Sequence, residues 1–294
     1  TYPKKRNDMK PNITALTVKN LLTVLVALTL TITAFGQAQI TTRKEKLSDF
    51  TTRTMKVVLS GNHFIDPVIR EAVNNTWSLS AFEFCSLEDF NSLKNNEEYY
   101  FMLPVNVKYR PETKPGIMML TIVKGRATAK TVNDMVNVVS IPVAAADIPS
   151  GREAAMIPGL VDIMQGYIAK SLNGNFSGLR TYVTPLGKSS GRRVVIAKED
   201  LSETVDSTFC SKTAKKGLDI VDGEVADSLF LSGDSRTLVS YVVAPAEPEK
   251  GSVCWRILID ARTHELFYFR KRTLKKEGEA GFHKGDLKII AKTR

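Results

Sequence analysis

The stretch Met55–Trp77, MKVVLSGNHFIDPVIREAVNNTW, decides how the chain is read. An apolar strand breaks at Ser60-Gly61-Asn62, and Ile65, Val68, Ile69, Ala72 and Val73 then recur at helical spacing. Pro67 is tolerable because it falls in a first turn, where its missing N–H has no intrahelical partner to lose. A strand handing over to a helix through a glycine turn is how a phosphate-binding βα unit begins, so the first question is whether this turn holds a nucleotide.

The same plan recurs further along. Lys56-Val57-Val58-Leu59 reads against Arg193-Val194-Val195-Ile196 at an offset of 137 residues. The strands 81–86 and 217–222, 99–105 and 237–243, and 118–124 and 255–261 follow at offsets of 136, 138 and 137. The loops RPETKPG and PAEPEKG match at 135, and 138–143 corresponds to 266–271 across a shorter connection. Near-constant spacing over so many elements predicts two copies of one unit. Each copy reads β-α-β-α-β-β-β, with second-copy helices near Glu203 to Lys212 and Gly223 to Leu229. Alternating strands and helices followed by hairpins imply an α/β (α+β) fold with mixed sheets. Between the copies, Ser150 and Glu153 are spaced as a capping box. Met156, Leu160, Ile163, Met164, Tyr167, Ile168 and Leu172 then form the apolar stripe of one long helix, 153–172.

The phosphate question gets a negative answer from composition. A P-loop needs several glycines and a Lys-Ser/Thr pair so that amides and an ammonium surround the phosphates. Neither that nor G-x-G-x-x-G is present, and the second copy has Ala197-Lys198-Glu199-Asp200 at the matching turn. Ser60 and Asn62 read as turn and cap residues. Ser150-Gly151-Arg152, at a helix start, can either bind an anion through amides and guanidinium or simply cap. The ligand-binding candidates are therefore Ser60, Asn62, His63, Ser150 and Arg152. His63, His264 and His283 form no metal-spaced cluster, so no metal site and no cofactor are expected. Ser60 near His63 lacks a G-x-S-x-G elbow, and no catalytic residue is assigned. Glu88-Asp89 and Glu199-Asp200 read as solvated helix starts, because adjacent side chains diverge.

The ends carry other signals. Met9-Lys10 opens a polar segment, the apolar run Leu21 to Phe35 follows, and GQAQ supplies small residues for cleavage after Gly36 or Ala38. That order is a secretory signal peptide, and about 15 apolar residues fall short of the ~20 needed to span a bilayer. Export to the periplasm of a Gram-negative bacterium is the expectation, with 1–38 as upstream residues and leader, 39–176 and 177–272 as the two units, and 273–294 as a basic tail. Of the net +10, residues 1–36 hold +4 and residues 271–294 hold +5, so the body is nearly neutral. Such a tail can be a solvated end or can rest on anionic lipid headgroups; nothing points to nucleic acid. Cys85, Cys210 and Cys254 are too few for a disulfide scaffold, although Cys210 and Cys254 could pair; Cys85, in an apolar strand, reads as a small buried hydrophobe.

TAFGQAQ, KVVLSGNHFIDPVIREAVNNTWSLSAFEFCSLEDF and PSGREAAMIPGLVDIMQ resemble stretches of uncharacterised exported proteins of Bacteroidetes, a likeness covering most of the chain after the leader. It transfers no functional residue. The repeated strand and helix order is similar to small α/β domains of envelope-assembly proteins such as the amino-terminal domain of TolB, which implies a fold and no activity. The expected function is a non-catalytic binding or scaffold module with an envelope protein partner. The alternative is a periplasmic hydrolase with its site at the interface of the two units.

Overall fold

The computed structural model describes residues 32–33, 47–110, 112–174, 178–214 and 216–292. The leader therefore lies outside the described residues, except that Ile32–Thr33 runs parallel to Val107–Lys108. No helix among the described residues is long and apolar enough to cross a membrane.

The chain forms a mixed α/β fold with two five-stranded mixed sheets. The first unit runs β1 (Met55–Leu59), α1 (Ile65–Thr76), β2 (Phe82–Ser86), α2 (Leu87–Leu93), β3 (Tyr100–Lys108), β4 (Ile117–Lys124), β5 (Val136–Ala145) and α3 (Glu153–Asn173). The second runs β6 (Arg193–Ala197), α4 (Ser207–Ala214), β7 (Leu218–Val221), α5 (Gly223–Leu231), β8 (Thr237–Val243), β9 (Val253–Asp260), β10 (Leu266–Thr273) and α6 (Lys284–Lys292). Strand order is β2-β1-β3-β4-β5 in one sheet and β7-β6-β8-β9-β10 in the other, the same order twice. In each, the first strand pairs parallel with the second and third, and the last three are antiparallel. The internal duplication read from residue spacing is thus repeated in topology.

How the copies meet follows from which side chains share a core. Val57, Tyr100 and Met102 belong to the central apolar cluster, while Val58, Phe101 and Leu103 face outward onto Phe90 of α2. In the second copy the phase is inverted. Val194 and Leu238, the equivalents of Val57 and Tyr100, face outward, and Val195, Val239 and Tyr241 face the centre. Helices obey the same inversion: α1 is central and α2 outer in the first copy, whereas Phe209 of α4 lies outside and Phe230 of α5 is central in the second. The copies are therefore stacked front to back, as successive repeats are, and not face to face about a two-fold axis.

The long helix α3 fills the layer between them. The predicted stripe is buried as expected except Leu172, which is partly buried, and Ile157 and Val161 are buried as well because the second unit covers the other side of the helix. A helix apolar nearly all round is what such a double-sided slot requires. The outer face of the first sheet is closed by residues 125–135, whose Ala129, Val132 and Met135 pack on it. The equivalent connection in the second copy, 261–265, is short and leaves the corresponding face free for α3.

Several expectations change. Residues 273–294 are not simply a solvated tail: α6 follows the fifth strand of its unit as α3 follows β5, and buries Leu287 and Ile290 with Phe282 against the second sheet. The long helix is thus the eighth element of the repeat rather than only a connection, and α6 is its second copy. Helix α4 starts at Ser207 rather than near Glu203, because the C-terminal segment holds the preceding loop. Ser202 donates its N–H to Phe282 O at 3.1 Å and its hydroxyl to Gly278 O at 2.9 Å. All three cysteines are thiols, so no disulfide joins Cys210 to Cys254; Cys85 is only half-buried.

Candidate functional site

Three polar arrangements repay inspection, and two contain the residues singled out by sequence. At the start of α1, the Asp66 carboxylate accepts the N–H and hydroxyl of Ser60 at 3.1 and 3.0 Å and the N–H of Gly61 at 2.6 Å. Asn62 Oδ1 accepts from the amides of Phe64 and Ile65 at 2.9 and 3.1 Å. The donors that would face a phosphate are thus occupied by the chain's own carboxylate, with Gly61 at φ +86° allowing the turn. His63 is exposed beside it.

The start of α3 repeats this device. Glu153 accepts the Ser150 N–H and hydroxyl at 2.9 and 3.0 Å and the Gly151 N–H at 2.7 Å, with Gly151 at φ +91°. Only half of the expected capping box forms, since the Ser150 hydroxyl accepts from Arg152 N and not from a helical amide. Ser-Gly followed by a carboxylate is the shared signature of both loops.

Arg152 leaves this loop and enters the seam between the units. Its Nη1 donates to Asp200 Oδ2 at 2.8 Å, its Nε and Nη2 to Asp227 Oδ1 at 2.9 and 2.8 Å, and Nη2 also to Ser240 O at 3.2 Å. Asp200 further accepts the Ser240 hydroxyl at 2.5 Å and the Val242 amide at 3.1 Å. Tyr241, beneath the guanidinium, donates its hydroxyl to Val143 O of the first sheet at 2.6 Å. Both carboxylates hold Arg152 well above the ordinary arginine value, against the opposing effect of burial. Asp200 is 3 % exposed, which corrects the reading of Glu199-Asp200 as a solvated helix start; Glu199 alone is exposed. Each guanidinium nitrogen is engaged, and four of its five N–H groups have partners among the described residues, so the cluster ties the first unit to the second.

The third arrangement, not predicted, also spans the seam. His264 Nδ1 lies 3.0 Å from Asp162 Oδ2, and Gln165 Nε2 donates to the other Asp162 oxygen at 2.9 Å. The imidazole packs against Phe230, ring centroids 5.4 Å apart, in a hairpin turn where His264 has φ +52°. The hydrogen bond from His264 is the main reason the Asp162 carboxyl sits below its usual range, opposed by burial. An aspartate fixing the tautomer and orientation of a histidine is half of a general-base assembly. Among the described residues no hydroxyl or thiol hydrogen-bonds to His264, and no group of three or more metal-ligating side chains occurs. His283 is elsewhere, its Nε2 2.8 Å from Glu279 O.

Sequence separation explains the missed residues. Arg152 and Asp200 are 48 residues apart and Asp162 and His264 are 102 apart, so no local pattern announces either pair. Comparison with protein-family models, curated proteins and solved structures gives no match.

Proposed function

We propose that the chain is an exported, non-catalytic binding or scaffold module of a Gram-negative cell envelope that recognises a protein partner. The leader-like order of residues 9–38 supports export. The observation that carries the binding reading is that Phe64 and Ile148 are 76 % and 62 % exposed, one beside each Ser-Gly loop. Helices α1 and α3 are neighbours, tied by Gln165 to Thr76 O and Ser78 N at 2.9 Å each. Large apolar side chains left in water beside rigid, self-satisfied loops fit a contact surface.

Capture from solubilised envelope with the chain from Gln39, beside a Phe64→Ser/Ile148→Ser variant, tests this. A stoichiometric partner held by the first and lost by the second supports the reading; no partner, or one held equally by both, overturns it. Deleting 271–294 is not a usable control, because it removes Phe282, Leu287 and Ile290, each worth about 1.5–3 kcal/mol of burial.

The second reading, a hydrolase at the interface of the units, is favoured by the Asp162–His264 pair alone. Turnover of chromogenic ester, phosphoester or peptide substrates that disappears in His264→Asn would replace the first reading with this one.

A further inference from the structure

We infer that the outer face of α6, with α4 beside it, is a docking surface for an anionic lipid bilayer. Helix α6 is the second copy of α3, yet the two differ on the side turned away from their own sheet. In α3 that side is apolar and buried by the second unit. In α6 it carries Lys284, Lys288 and Lys292, one per turn along the helix, with Ile289 between them 55 % exposed. Phe209 of α4 lies beneath both Lys284 and Lys288, its ring centroid 5.7 and 5.9 Å from their ammonium groups.

Little negative charge offsets these lysines. Asp286 is turned inward, where it is held by Arg256 and by the Tyr268 hydroxyl at 2.7 Å. Asp206 is paired with Lys284, and among the described residues no carboxylate pairs with Lys288 or Lys292. Lys212 and Lys216 add exposed charge toward the end of α4. A row of ammonium groups around one exposed aliphatic side chain matches a headgroup layer, which offers phosphates laterally and an apolar level just below them. Among the described residues no exposed aromatic stands on this face to stack bases, which disfavours nucleic acid. The location of a bilayer within reach rests on the export reading; the charge complementarity does not.

All members of the three apolar clusters lie at Leu47 or beyond, so the chain from Gln39 keeps every core residue among those described. The test is co-sedimentation of that chain with phosphatidylcholine vesicles, with and without about 30 mol % phosphatidylglycerol. Binding only to the anionic vesicles is expected, with release when salt rises from about 0.05 M to about 0.5 M. Lys288→Gln/Lys292→Gln should weaken binding about thirtyfold, and Ile289→Ser should weaken it further. Lys94→Gln/Lys130→Gln, at the opposite end of the stack, should leave it unchanged. Circular dichroism checks that each variant is folded. Equal binding to both vesicle types, no binding to either, or indifference to the Lys288/Lys292 change overturns the inference. So does binding of polyglutamate or duplex DNA without binding of vesicles. Envelope capture through Phe64 and Ile148 uses other residues, so either result can fail without the other.

Discussion

Replacing Arg152 by Met tests the seam most sharply, because it keeps an unbranched stem in place while removing the charged fork. The Arg152 and Asp200 side chains are 10 % and 4 % exposed, so the deletion strands a carboxylate that water cannot reach. Breaking a buried pair from one side costs about 3–5 kcal/mol, whereas removing both partners is often far cheaper. Arg152→Met should therefore lose about 3–5 kcal/mol in urea unfolding at neutral pH, and adding Asp200→Asn should recover most of the loss. Acidity supplies a second signature. Burial pushes the Asp200 carboxyl upward, and Arg152, Ser240 and the Val242 amide pull it back. Without Arg152 the pull weakens, so the folded variant binds a proton more tightly than the unfolded chain does. Its deficit against wild type is full above the raised folded pKa and shrinks as pH falls through it. A loss under about 1 kcal/mol, no recovery in the double variant, or a deficit that grows on acidification would refute the reasoning.

Other consequences are as direct. A Cβ on Gly159 would press on Phe230 and sit 3.1 Å from His264 Cδ2, so Gly159→Ala should cost about 1–3 kcal/mol, partly relieved by Phe230→Leu, read from urea midpoints. Because His264 holds the Asp162 carboxyl below its usual range, the stability it contributes is present above about pH 4 and is lost as pH falls through the lowered value. Thermal melts of Asp162→Asn should accordingly converge on wild type below that pH, and a constant gap would count against the pair. Cys254 is 1 % exposed and its thiol is pushed up to about 11, chiefly by burial, so it should resist thiol reagents at pH 8 and label only as fast as the protein unfolds.

The strands were legible because they are short apolar runs, several of them closed by Gly or Pro, and the duplication because four strand runs and a loop recur at offsets of 135 to 138 residues. Helix α3 was legible from its stripe, but only tertiary structure shows Ile157 and Val161 buried on its far side. Helix α6 was misread for the complementary reason. Leu287 and Ile290 are two apolar residues among lysines, a pattern that water or a core slot can equally satisfy until the sheet is in place. The same holds for Asp200: Lys-Glu-Asp looks solvated, and only the fold delivers Arg152 and Ser240 to it. The Ser-Gly loops were the opposite case. Asn62 was picked as a cap by type and does accept the amides of Phe64 and Ile65, but the serines donate instead to Asp66 and Glu153, acids that stand at different distances from the serine.

The claim beneath all of this is that two copies form one body, with a central core drawn from both sheets and α3 shared between them. Differential scanning calorimetry of the chain from Gln39 tests it directly. One cooperative transition, with calorimetric and van't Hoff enthalpies equal, is the predicted result. Two separable transitions, with the later one surviving Arg152→Met unchanged, would contradict it.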